Sequence, residues 1–362
     1  MTQTAMVDAV RRLVCVESPT EDVAACGRAV HEAIAICADW LPGAAHRFEH
    51  GDRPVFGWGT ERPRILLLGH LDTVWPLGTI NRLPWSDDDG RLRGPGVFDM
   101  KAGVVQAIAA LREAGIGPDD GVGLLLTTDE ETGSATSRDL IASAASRAEA
   151  VLVFEPSLDG RLKTRRKGTS WYVVDIAGRA AHAGLDPQRG INALIEASRL
   201  ALATTSWGIG ETTVTPTLMR AGTTANTVAA EASLTIDVRA WTADEQERVD
   251  ALVRGWQPDA GARSIRGGID RPALEHAMSA DLFARAAEIA ERLGMAPLGE
   301  AAVGGASDGN LTAALGHPTL DGLGAVGDGA HADHEWVSAA DLEPRARLVA
   351  GLIRDLLDGR DG

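Results

Sequence analysis

The strongest constraint on this chain is a set of three short apolar runs, each followed at once by acids or imidazole. Ile65-Leu66-Leu67-Leu68 leads to His70-Leu71-Asp72, Val122 to Thr128 leads to Asp129-Glu130-Glu131, and Val151-Leu152-Val153-Phe154 leads to Glu155. Runs of this length bounded by Gly, Pro or charge predict strands buried on both faces of a parallel sheet, and ligands in open α/β sheets bind beyond the carboxyl ends of such strands. The acids and the imidazole are therefore expected to converge. With Asp99 and His331 they offer the donor set expected of a two-metal site.

The order of elements predicts an α/β fold. Helical periodicity at Met6 to Cys15, Met100 to Ala114 and Ser137 to Arg147 alternates with the apolar runs, which is βαβ order. The pattern then changes. Strands are expected at Trp171 to Ile176, Thr213 to Met219, Ala232 to Val238 and Arg263 to Arg266. Helices are expected at Ile191 to Ala203 and at Thr242 to Gly255, the latter capped by Thr242. This β-α-β-β-α-β order is the split-βαβ, ferredoxin-like unit. Helices at Ser279 to Leu293 and Asp341 to Leu357 resume the first pattern, so the expected organisation is a mainly parallel catalytic domain, 1–165 and 272–362, with an inserted domain at 166–271.

At 362 residues and 44% hydrophobic content, two domains with sizeable cores are expected. The formal charge of −16 argues against nucleic acid or an anionic membrane as a partner. No apolar stretch approaches the roughly 18 to 20 residues of a membrane span, and the N-terminus lacks a basic region followed by an apolar core, so a cytoplasmic location is expected. Cys15, Cys26 and Cys37 form no Cys-x-x-Cys pattern and read as buried, reduced thiols.

His70-x-Asp72 places both side chains on one face of a strand end, where one can ligate a metal and the other orient the site. Asp99, in Gly94-Pro95-Gly96-Val97-Phe98-Asp99, sits on a turn at a helix start, where an N-cap is the plain alternative. Adjacent carboxylates at Glu130-Glu131 repel unless a cation is near, and neighbours can point apart, one to metal and one to a water. Glu155 precedes Pro156. In Gly329-Ala330-His331-Ala332-Asp333-His334-Glu335, spacing leaves His331 and His334 as competing ligands. Gly304-Gly305 with Ser307-Asp308 lacks the Gly-Lys-Ser/Thr ending of a phosphate-binding loop. Trp75 fits a substrate-pocket wall or the core equally well.

From Ser18-Pro19-Thr20 to His331 and Glu335 the chain resembles the zinc exopeptidases and amidohydrolases that include glutamate carboxypeptidase, acetylornithine deacetylase, succinyl-diaminopimelate desuccinylase and aminoacylase. The resemblance implies His70, Glu131, Glu155 and His331 as ligands and Asp99 as the carboxylate bridging two divalent ions. It also implies Asp72 as the orienting acid and Glu130 as the general base that takes the proton of the attacking water. It favours His331, with Glu335 four residues on, over His334. The metal implied is zinc, though cobalt and manganese suit the same donors.

In the insert, Ala181-His182-Ala183-Gly184 resembles a motif whose His polarises the scissile carbonyl, often from the partner subunit of a dimer. Asn226 resembles a substrate-binding asparagine. Gly268-Ile269-Asp270-Arg271-Pro272 resembles the segment whose Arg clamps a substrate α-carboxylate in the glutamate carboxypeptidase branch, a task suited to bidentate geometry. Ser307 and Asp308 correspond to a loop lining the substrate pocket, and Lys163 lies one residue from a position associated with glutamate side-chain binding. The implied activity is hydrolysis of N-acyl or peptidyl amino acids by a homodimer built through the insert. Removal of acyl groups from small N-acyl metabolites is the alternative, and a non-catalytic metal-dependent binding module the third reading. Glu130 speaks against the last, since such a module needs no carboxylate beside the metals that does not ligate them.

Overall fold

A computed structural model describes residues 1–359, so the last positions of the predicted 272–362 segment lie outside the described residues. The chain divides into two compact units, Met1–Arg165 with Glu275–Val303 and Ser307–Gly362, and Arg166–Leu274 with Gly304–Ala306.

The first unit is built on a six-stranded sheet in the order His46–His50, Arg53–Gly59, Val122–Thr127, Ile65–His70, Ala150–Val153, Thr319–Leu320. The last four of these are parallel, and the His46–Gly59 hairpin adds two antiparallel strands at one edge. Every residue of the Ile65–His70 and Val122–Thr127 strands is buried, as continuous apolar runs require when helices cover both faces. Side chains alternate: Ile65, Leu67, Leu124 and Leu152 join the larger core with Val10, Ile108 and Ile353 of the helices Gln3–Val14, Ala102–Ala114 and Ala339–Asp358. Leu66, Leu68, Leu125 and Val151 face Ile141 and Leu311 of Arg138–Ala145 and Asp308–Ala314. Register sets His70 beside Thr127, and Leu68 beside Val153. The expected mainly parallel α/β sheet is what the chain forms.

In the second unit, Thr213–Ala221, Glu231–Ala240, Gly168–Ala177 and Ala262–Arg271 lie in that order in one antiparallel sheet. Burial alternates along its central strands, because the helices Ala193–Thr204 and Ala243–Gly255 cover one face through Tyr172, Val174, Leu234 and Ile236. This is the split-βαβ order. Thr242 caps its helix as expected, accepting the Glu245 amide at 3.3 Å. The chain leaves and returns side by side: the amides and carbonyls of Arg166 and Leu274 exchange hydrogen bonds of 3.0 and 3.1 Å.

Several expectations need correction. The strand expected at Arg263 to Arg266 runs over Ala262–Arg271, since the pairing with Gly168–Ala177 carries it on past its polar residues. Cys15 is exposed, and only Cys26 and Cys37 are buried free thiols, with burial pushing each up to about 12. The helix Val23–Trp40 and the His46–Gly59 hairpin were not expected at all. Among the described residues, no helix is long and apolar enough to cross a membrane.

Candidate metal centre and active site

His70 ends its strand and is 1% exposed. Its Nδ1 lies 3.0 Å from the Asp72 carbonyl, which can only accept, so the neutral ring carries its hydrogen there and leaves the Nε2 lone pair for a ligand. The Asp72 carboxylate is buried and accepts from Thr20 Oγ1 at 2.8 Å and from the amides of Glu130 and Glu131 at 3.3 and 3.1 Å. One acid thereby ties the end of the His70 strand to the turn that carries the two glutamates.

Asp99 lies on the irregular turn Val97–Lys101 and is not the cap of the helix that follows, whose N-cap is Lys101. Gly96 shapes this turn at φ 72°, where a Cβ would strike the Thr73 methyl. Asp99 Oδ1 is 3.3 Å from His70 Nε2, and Oδ2 is 3.4 Å from His331 Nε2. Glu155 Oε1 stands 3.6 Å from the same His70 nitrogen, and Glu131 Oε2 stands 3.0 Å from His331 Nε2. His331, and not His334, faces the carboxylates; the exposed His334 offers its backbone carbonyl to Arg93 at 3.2 Å.

The donor set fits divalent cations. One potential ligand atom from each of His70, Asp99 and Glu131 lies within 4.8 Å of the others, and the same holds for His70, Glu130 and Glu155. Three atoms in this cluster, His70 Nε2, Asp99 Oδ1 and Glu131 Oε1, are buried without a hydrogen-bond partner. A buried polar atom left unpartnered is costly unless something else satisfies it. Charge points the same way. Asp99 and then Glu131 push the His331 imidazole up to about 10. Burial opposes the His70 imidazolium, yet Asp72, Asp99 and Glu155 hold its pKa well above the usual histidine range. Burial raises the Glu131 carboxyl, while against burial the two histidines hold Asp99 well below the carboxylate range. The carboxylates around the two imidazoles thus favour positive charge at this place.

The remaining candidates lie elsewhere. In the second unit His182 is exposed, and its Nδ1 accepts the Gly184 amide at 3.1 Å, so the neutral ring carries its hydrogen on Nε2. The Ala183 amide donates to the Asn226 carbonyl at 2.9 Å, and His182 bridges to Thr227, which sets His182 and Asn226 on adjoining loops. Arg271 closes its strand, 3% exposed, with Gln246 Nε2 donating to its carbonyl at 3.1 Å. In the first unit Ser307 caps the helix Asp308–Ala314 and donates to Asp321 at 2.6 Å, and Asp308 accepts from the Ser134 hydroxyl. Both are buried in hydrogen-bond networks. The Lys163 amide donates to the Asp321 carbonyl at 2.8 Å. Sequence reasoning named Asp129 among the converging acids without giving it a role; it accepts the amides of Thr136 and Ser137 at 2.8 and 3.2 Å and closes the loop that begins with Glu130-Glu131. Its signal was its place directly before the glutamate pair.

The profile of peptidase family M20/M25/M40 matches residues 66–355. The chain belongs to this family. It is 33% identical to carboxypeptidase G2 of Pseudomonas sp. strain RS-16 over 82% of this chain and 74% of that one. It is 28% identical to the succinyl-diaminopimelate desuccinylase of Halorhodospira halophila over 99% and 100% of the two chains. A dinuclear metal-binding M20 peptidase of Bacillus subtilis has the same fold, with a TM-score of 0.67 over 98% of each chain at 13% identity. This M20 chain is accordingly an enzyme of the metallopeptidase and amidohydrolase class.

Proposed function

We propose that the chain is a metallo-carboxypeptidase that releases a C-terminal amino acid from an N-acyl or peptidyl substrate. His70, Asp99, Glu131, Glu155 and His331 would hold two divalent ions. The observation that carries this reading is the placement of Asp99, whose two oxygens face two different histidines at 3.3 and 3.4 Å. Mixed imidazole and carboxylate donors favour zinc, and cobalt or manganese suit them as well. When bound, such a pair of ions lowers the pKa of water and polarises the scissile carbonyl.

The chain's own residues supply the rest. Glu130, its backbone amide held by Asp72, receives the proton of the attacking water and returns it to the leaving amine. His182 donates its Nε2 hydrogen to the carbonyl oxygen as negative charge develops there, a contribution on the order of 10²- to 10³-fold for a well-placed donor. Arg271 pairs with the substrate α-carboxylate, and Asn226 assists binding beside His182. Ser307 and Asp308 hold the loop that would line the substrate pocket, through their hydrogen bonds to Asp321 and Ser134.

A homodimer through the second unit is part of the proposal. Thr213–Ala221 is an edge strand with Leu218 51% and Met219 36% exposed, and an open edge of this kind invites pairing with a second copy. Free thiols suit the cytoplasm. The 33% identity to carboxypeptidase G2 supports the carboxypeptidase reading, and the full-length match to the desuccinylase supports a second one, release of an acyl group from small N-acyl metabolites.

The test is metal-loaded enzyme against N-acyl amino acids, dipeptides and N-succinyl amines, with ninhydrin detection of the released amine. Arg271→Ala, assayed on free and α-amidated substrates, accompanies it. A carboxypeptidase acts on the first two classes, and Arg271→Ala raises KM only where the α-carboxylate is free. Preference for succinylated amines, with no dependence on the α-carboxylate, overturns it in favour of the second reading.

A further inference from the structure

We infer that Glu335 is a positioning residue that ties together Asp99 and His331, two of the three residues that would hold the more exposed ion; the inference rests on the two-ion reading above. Three segments that carry ligands meet at this one carboxylate. Its Oε1 accepts the amides of Phe98 and Asp99 at 2.8 and 3.1 Å. Its Oε2 accepts the Gly96 amide at 2.9 Å and the indole Nε1 of Trp75, five residues beyond His70, at 2.9 Å.

The third segment is Glu335's own. Its amide donates to Ala332 and that of Ala332 to Gly329, both at 2.9 Å, so His331 sits within a folded turn that Glu335 closes. His331 itself has φ 61°, and a Cβ on Gly329 would lie 2.9 Å from the Glu335 Cα. Directly after Glu335, Trp336–Ser338 pairs with Arg91–Arg93, the strand that leads into the Asp99 turn.

This arrangement has an asymmetric effect. The His70 side chain is 2% exposed and oriented by its own bond to the Asp72 carbonyl, whereas that of His331 is 49% exposed. An ion that His331, Glu131 and Asp99 would hold therefore depends on Glu335 to keep two of those three residues in register, whereas an ion that His70, Glu155 and Asp99 would hold depends on it directly for Asp99 alone.

The test is cobalt titration of metal-free protein, read by visible absorption and by competition with a chelator, for wild type, Glu335→Gln and Glu335→Ala. Glu335→Gln keeps the volume but turns an NH2 group toward one of the two donor pairs. The expected result is about 10- to 100-fold weaker binding of the second equivalent, the range typical for loss of an outer partner of a ligand, with the first changed by less than about threefold. Ser279→Ala removes a buried hydroxyl that donates to the Thr319 carbonyl at 2.7 Å. It serves as the control for general loss of stability, and both its cobalt affinities should match wild type. If Glu335→Ala does not fold, Glu335→Gln carries the test alone. Two equivalents bound by Glu335→Gln at wild-type affinity, or both weakened equally, overturn the assignment to Glu335 and leave the two-ion reading standing. A wild-type chain saturating at one equivalent overturns the two-ion reading and this assignment with it.

Discussion

The carboxylate of Asp72 accepts the backbone amide of Glu131 at 3.1 Å, although 59 positions separate the two residues. The end of one strand thereby sets the height of the turn that follows another. Asp72→Asn would turn an NH2 group toward these donors and loosen the turn. The expected outcome is a kcat about 10- to 100-fold lower, with a smaller change in KM and reduced metal retention during dialysis against chelator. An unchanged kcat would show that the turn holds itself.

Glu130 and Glu131 are adjacent but have different expected phenotypes. Glu130→Gln should abolish turnover, losing on the order of 10²- to 10⁴-fold, while metal content stays near wild type, because its proposed task is proton transfer. Glu131→Gln should lose metal. Elemental analysis beside steady-state rates distinguishes them, and a Glu130→Gln chain depleted of metal would reassign Glu130 as a ligand.

Metal uptake should depend steeply on pH. In the ion-free chain the pKa of His331 is raised to about 10 by Asp99 and then Glu131, so below that value the ring carries a proton that a cation must displace. Protons therefore compete, and apparent affinity rises with pH, by about tenfold per unit for each proton displaced. The rise should flatten near pH 10. Calorimetric titrations at pH 7.5 in two buffers of different ionisation enthalpy should show proton release on binding, and identical heats would contradict this.

Mixing should reveal whether His182 acts across subunits. An inactive Glu130→Gln chain exchanged with an inactive His182→Ala chain should regain part of the activity, because each mixed dimer holds one intact composite site. No recovery after subunit exchange, followed by mass spectrometry, would assign His182 to its own chain or to no catalytic role.

The convergence of the donor residues was legible because its geometry is local. His70, Glu131 and Glu155 each follow an apolar run, and parallel strands in register bring such ends together without any long-range information. The histidine choice was not local. His331 and His334 differ only in how the turn after Gly329 folds, and the resemblance, not the spacing, selected His331. The helix Val23–Trp40 was missed although Ala25, Cys26, Ala29, Val30, Ala33, Ile36 and Cys37 form a helical stripe behind an Asp22 cap. Alanine and cysteine are weakly apolar, so the stripe stands out poorly against a background of more alanine. Glu335 was quoted beside His331 without a role, because its partners lie 236 to 260 positions earlier in the chain. Ser307 and Asp308 were placed in a pocket-lining loop, yet their burial follows from a helix that begins at Asp308 and has to be capped.

The paired backbones of Arg166 and Leu274 have an evolutionary consequence. Residues exchanging two hydrogen bonds across antiparallel chains have Cα atoms about 5.5 Å apart, a gap that a two-residue linker bridges. Apart from Gly304–Ala306, the second unit is thus one continuous stretch of chain whose ends lie side by side, and no strand of the parallel sheet falls within it. Sequence change within that stretch can therefore proceed while His70, Glu131 and Glu155 keep their places at the strand ends of the other unit.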